Sequence, residues 1–222
     1  MRQSFILKLI LLIALILALL TTRMQYANEE ETLLTSEFHY HSPSAFNKLL
    51  WGHVQGLGAD FMLLDVFLLY DTASSTKQKS HVLWQALLET IQLAQALDPK
   101  FYDVYHIAIP ILAYDAELPK ESISLAYLGA KALPLNWQIP FTAGFIAYDT
   151  AHDYHNAAKL MTIAANAPNP PSLAIHLAAR FLKKDIDDAS AISFLKHMLQ
   201  ITPKKYHKGI KKRLSEIINK NK

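Results

Sequence analysis

Apolar and polar positions follow three regimes along this chain. The first is an unbroken apolar run from Leu9 to Leu20, with Arg2 and Lys8 on its N-terminal side. Counted from Phe5 to Thr22 it covers 18 residues interrupted only by Lys8, close to the roughly 17–25 that span a bilayer. A lysine so near one end snorkels to the interface. The second regime, residues 23–41, is polar, acidic and aperiodic, and reads as a linker. The third begins at Ser42-Pro43, where Ser42 is suited to cap a helix and Pro43 to occupy its first position. From there apolar residues recur at helical spacing to the end of the chain. The pattern predicts helices near 43–71, 80–97, 101–116, 119–132, 137–150, 154–166, 172–184, 188–201 and 205–219. In 80–97 the stripe is Leu83, Leu87, Ile91, Ala94 and Leu97; in 188–201 it is Ala191, Ile192, Leu195, Met198 and Leu199. Asp153 and Asp187 precede two of these helices as N-caps. No stretch keeps a period of two, so no sheet is predicted.

The helices recur with a period. Pro99, Pro134, Pro168 and Pro203 each follow an apolar helical stretch, at separations of 35, 34 and 35 residues, as prolines that stop helices do. A second marker runs in parallel. Tyr70-Asp71, Tyr114-Asp115 and Tyr148-Asp149 each close the first helix of a pair, the last two 34 residues apart and the first 44 before the second, with a loop at 72–79 taking up the excess. Tyr-Asp-Thr-Ala at 70–73 returns verbatim at 148–151.

A period near 34 built of helical pairs resembles the tetratricopeptide repeat family, whose pattern is Trp-x2-Leu-Gly-x2-Tyr, Ala-x3-Phe and Pro. In the unit 172–205 those slots hold Ile175, Ala178, Ala179, Leu182, Ala191, Leu195 and Pro203. The unit 137–170 offers Ala143 and Gly144, and the unit 103–136 puts Pro110 where a small residue belongs, which should bend that helix. The resemblance covers roughly 68–203. It implies an all-α chain: an N-terminal transmembrane helix (1–22), the linker (23–41), and a superhelical solenoid (42–222) of about four helical hairpins closed by a basic capping helix. It also implies a concave face lined by the first helices, taking a protein partner or peptide segment. The inward positions would include Ile107, Ile111, Tyr114, Asp115, Phe141, Phe145, Tyr148 and Asp149. A ring supplies contact area at low entropic cost and a carboxylate selects a basic group. The competing reading of the Tyr-Asp pairs is structural, with the ring packed between hairpins and the carboxylate capping a turn.

Composition narrows the chemistry. There is no cysteine among the 222 residues, which removes disulfides, thiol catalysis and thiolate-bound zinc. Net charge is +3, with +7 in residues 204–222 and +3 in residues 1–23, leaving −7 on the body between them. That is not the distribution of a nucleic-acid-binding face. The basic tail suits an acidic partner, anionic head groups or simply a solvated cap. Gly52, Gly56 and Gly58 match no phosphate loop, no Gly-x-Ser-x-Gly elbow occurs, and His152-x2-His155 lacks the HExxH pattern. No enzyme activity, cofactor or metal is therefore expected. Gly52 and Gly56, four apart with Ala59 nearby, are expected at a close helix contact. A second membrane span over 49–70 would have to carry His53, Gln55, Asp60 and Asp65.

The address follows from the flanks of the first run. The best cleavage site, ending at Ala27, has Gln25 where a small residue belongs, so an uncleaved anchor is expected. Arg2 and Lys8 place the N-terminus in the cytoplasm and the helical body on the periplasmic or extracytoplasmic side of the inner membrane, with Arg23 opposing this mildly. The function expected is a scaffold or adaptor in an envelope assembly such as a secretion, pilus or transport system. The alternative is an exported module holding a small molecule or polymer in the groove.

Overall fold

The computed structural model describes residues 14–18, 50–75 and 81–219. The chain divides into two units, residues 1–41 and Ser42–Lys222. In the first, residues 14–18 are helical with exposed side chains. The rest of the anchor at 1–22, the linker at 23–41 and the Ser42-Pro43 cap lie outside the described residues.

Among its described residues the second unit is all helical, with no strand. A short 3-10 turn, Gly52–Val54, leads into α1 (Gln55–Ser75). Then come α2 (His81–Leu97), α3 (Tyr102–Pro110) running directly into a π turn (Ile111–Asp115), α4 (Pro119–Ala132), α5 (Gln138–Ala151), α6 (Tyr154–Asn166), α7 (Ser172–Asp185), α8 (Asp188–Ile201) and α9 (Lys204–Asn219). Helices adjacent in sequence pack on one another throughout, and the further substantial contacts join a helix to the next but one: α3 to α5, α4 to α6 and α7 to α9.

Local chemistry explains the boundaries. Pro99, Pro134, Pro168 and Pro203 each stand two residues beyond the end of α2, α4, α6 and α8. A proline disfavours the helical region for the residue before it, and Leu133, Ala167 and Thr202 accordingly leave it, with ψ of 64°, 161° and 152°. At the starts, Pro119 occupies the first turn of α4. The Asp153 carboxylate accepts from Asn156 N–H at 3.0 Å and that of Asp187 from Ser190 N–H at 2.7 Å, two caps the sequence predicts. The connection from α5 to α6 is two residues, the cap Asp153 and before it the left-handed His152 (φ 50°), whose N–H bonds back to Ala147 and Tyr148.

Pro110 ends α3 without ending the helical path. The helix continues as the π turn, closed by Ala116 N–H to Ile111 O at 3.0 Å and Leu118 N–H to Leu112 O at 2.7 Å. The π turn absorbs one extra residue, and the burial pattern shows it. Val104, Tyr105, Ala108 and Ile109 are buried, as are Ile139, Pro140, Ala143 and Gly144, 35 residues on. Within the turn, Leu112 and Ala113 match Ile146 and Ala147 at 34. The turn thus brings Tyr114-Asp115 back into register with Tyr148-Asp149. Where the ladder changes, the fully buried hydroxyl of Ser122 donates to Ile109 O at 2.7 Å, satisfying a polar atom the core would otherwise penalise.

The core runs along the helical unit as one continuous cluster from Val66 to Ile217. Its closest packing is made by small residues. A Cβ on Gly144 would lie 3.2 Å from Met161 N, and one on Gly129 would lie 2.7 Å from the Tyr105 ring. Alanines fill the same role in α6, where Ala157, Ala158, Ala164 and Ala165 are buried with Leu160 and Met161. Among the largest fully buried side chains are Tyr105, Phe181, Leu87 and Ile91; each such apolar group contributes about 1.5–3 kcal/mol by leaving water.

Candidate partner-binding face

The register on α3 and α5 places the sequence-predicted residues on one row. Phe67, Ile111 and Phe145 each stand three residues before a marker tyrosine. Phe67 and Phe145 are each 45% exposed and Ile111 is half-buried. Ile107 and Phe141 are half-buried one turn earlier, Tyr114 is exposed, Tyr148 half-buried, and Asp115 and Asp149 exposed.

The tyrosines and aspartates prove to be joined across hairpins, not within them. Tyr70 Oη donates to Asp115 Oδ2 at 3.5 Å, and Tyr114 Oη donates to Asp149 Oδ2 at 3.2 Å. Tyr70 and Tyr114 thus each reach the marker aspartate of the next hairpin. The Asp115 charge, followed by burial, raises the Tyr70 phenol above its ordinary value; burial, followed by the Asp149 charge, does the same to Tyr114. Both hydroxyls stay protonated as donors. Each bond uses one oxygen of an exposed carboxylate.

Tyr148 ends the series differently. Its ring centroid lies 5.0 Å from that of Phe181 and 5.7 Å from that of Tyr154, with the Arg180 guanidinium carbon 5.9 Å away over its face. The burial pattern of α7 matches that of α5 at five positions: Ile139, Pro140, Ala143, Gly144 and Ile146 correspond at 35 residues to Ala174, Ile175, Ala178, Ala179 and Phe181, all buried, while buried Ala147 meets half-buried Leu182. The surface positions equivalent to Phe141 and Phe145 are then His176 and Arg180. Sequence reasoning missed this change of chemistry, because the burial register that aligns the two helices is a tertiary property.

A parallel link joins the second helices. Tyr127 Oη on α4 donates to Asn156 Oδ1 on α6 at 2.8 Å, and the Asn156 amide donates to Asp153 Oδ2 at 2.7 Å. The two histidines singled out in the sequence are separately engaged, His152 Nδ1 with Tyr148 O at 3.0 Å and His155 Nδ1 with Asp185 Oδ2 at 3.1 Å.

Gly52 has φ 48° and sits in the 3-10 turn, and a Cβ on Gly52 or Gly56 would meet nothing within 4 Å among the described residues. The close approach falls on Gly58, where a Cβ would come within 2.6 Å of the Trp51 ring, and Ala59 is buried beside it. The opposite side of α1 carries Leu57, Phe61, Leu64 and Leu68 at spacings of four, three and four, between 43% and 60% exposed. The stretch Gly52–Ser75 is the one helix among the described residues long and apolar enough, by length and composition, to cross a membrane. It also carries Asp60, Asp65 and Asp71.

No protein-family model matches the chain, and no curated protein matches it in sequence.

Proposed function

We propose that this chain is a membrane-anchored scaffold of the tetratricopeptide type. Residues 5–22 hold it in the cytoplasmic membrane, and the helical unit on the extracytoplasmic side docks a segment of a protein partner belonging to an envelope assembly. The helices form a short solenoid of hairpins capped by α9. The support is the nearest-neighbour packing, the recurrence of the burial pattern at 34–35 residues, and the Tyr–Asp links that set one hairpin against the next. A hairpin in such an array cannot cover its own apolar face, and stacking leaves the first helices lining a shared surface.

The observation that carries the docking reading is the set of large apolar side chains left in water on that surface. Phe67 and Phe145 are nearly half exposed, and a contiguous exposed apolar face in a folded unit marks an interaction site. The carboxylates beside it add selection for a basic group on the incoming segment.

In-membrane photo-crosslinking tests the reading. A photoreactive side chain at position 67 or 145 is expected to yield the same discrete adduct. The same probe at position 159, exposed on α6, is expected to yield none. Equal labelling from position 159, or no adduct from either of the others, would refute a dedicated face.

A further inference from the structure

We infer that the cleft between α7 and α9 binds a small oxyanion carried on an apolar body, a carboxylate or phosphate ester with a few carbon atoms. The cleft has a volume of about 430 Å3, within the range of small-ligand sites. Leu173 and Leu177 form its apolar wall; His176 and Arg180 from α7 face Lys212 and Arg213 from α9.

The charges do not cancel. Arg213 pairs with Glu216 at 3.0 Å. Arg180 and Lys212, which both line the cleft, form no ion pair among the described residues. The Arg180 guanidinium is already oriented by the face of Tyr148, which reduces the ordering cost of gripping an oxyanion.

Gly209 supplies an independent observation. Glycine inside a helix costs about 1 kcal/mol relative to alanine, and α9 carries it at mid-length. A Cβ there would stand 3.1 Å from His176 Nε2 and 3.4 Å from Cε1. Glycine therefore keeps a methyl group off the imidazole edge. That ring is half-buried and makes no hydrogen bond among the described residues. Burial, followed by the Arg213 charge, holds its pKa below the ordinary value, with Glu216 opposing. An anion seated against Nε2, between Arg180 on the same helix and Lys212 and Arg213 on the facing one, reinforces Glu216 and draws a proton onto the ring. Binding should strengthen as pH falls.

The inference stands apart from the docking proposal, since the oxyanion can belong to a free organic acid or to an acidic side chain of a protein segment. Calorimetric titration of the full chain in detergent with hexanoate, hexan-1-ol and the blocked peptide acetyl-Leu-Glu-Leu-amide separates the cases. At least one of the two anions is expected to bind saturably and hexan-1-ol, with the same apolar body and no charge, is not. Tighter hexanoate identifies a free acid as the source, and tighter peptide an acidic side chain. Arg180→Gln and Lys212→Gln are each expected to weaken binding about tenfold, one charge-assisted contact's worth. Gly209→Ala is expected to weaken binding while leaving the melting temperature unchanged or higher, a pattern that unfolding does not produce. Saturable binding of hexan-1-ol equal to that of the anions, no saturation by either anion, or affinity unchanged in both charge variants would overturn the assignment.

Discussion

The first helix and the seventh are both rich in apolar residues, and they use them in opposite ways. Helix α1 buries Gly58, Ala59, Val66 and Ala73 and leaves Leu57, Phe61, Leu64, Phe67 and Leu68 exposed. Helix α7 buries Ile175 and Phe181 among alanines and shows Arg180 and Lys184 to water. Apolar content alone does not say where a fold draws its stability. In α7 large side chains are fully buried; in α1 the fully buried residues are small or medium, with Met62, Leu63, Leu69 and Tyr70 packed partly buried on the core, and the five exposed ones contribute little to holding the unit together. The docking proposal assigns the exposed apolar groups to a partner.

Substitutions sharpen this contrast. The largest effect is expected at Phe181→Ala, which empties a fully buried site where the Tyr148 and Tyr154 rings pack; urea unfolding should report a loss of about 3–5 kcal/mol. Gly129→Ala forces a methyl group against the Tyr105 ring and should cost about 1–3 kcal/mol by the same measurement, despite the better helix propensity of alanine.

The Asp153 cap comes next. Asp153→Ala should lose about 1 kcal/mol. Burial tends to raise its pKa, but the Asn156 N–H and amide, with His155, outweigh that and hold it below 3.8. A depressed folded pKa means the contribution is present above that ordinary value and disappears as pH falls through the lower folded one. The wild-type and variant acid-unfolding curves should therefore converge at the acid end. Tyr114→Phe should cost about 0.5–1.5 kcal/mol, and Tyr70→Phe less, because its bond is longer, 3.5 Å against 3.2 Å. A double-mutant cycle between Tyr114 and Asp149 should give a non-zero coupling if the link registers adjacent hairpins.

Much of the helical layout was legible in the chain, for a physical reason. Proline acts locally, so α4, α6 and α8 begin and end where spacing and caps predict, at 119–132, 154–166 and 188–201. The misreadings involve effects that spacing does not carry. Helix α1 runs on to Ser75, past the predicted end at 71, because the Thr72, Ser74 and Ser75 hydroxyls bond back to the carbonyls of Leu68, Asp71 and Thr72. The π turn after Pro110, which restores register, has no signal in the spacing of apolar residues. The Tyr-Asp markers were visible, but their pairing across hairpins was not, since it depends on how neighbouring units stack. The same blindness hid the switch from Phe141 and Phe145 to His176 and Arg180.

The account's central claim is that the large apolar side chains exposed on the first helices serve a partner and not the fold. The most direct measurement pairs urea unfolding with co-purification from crosslinked membranes for the double variant Phe67→Ser and Phe145→Ser, both on the proposed face. The account predicts that each exposed site costs only about 0.5 kcal/mol, while the partner that co-purifies with the native chain is lost. A loss of several kcal/mol, as at a core site, or an undiminished partner band would contradict it.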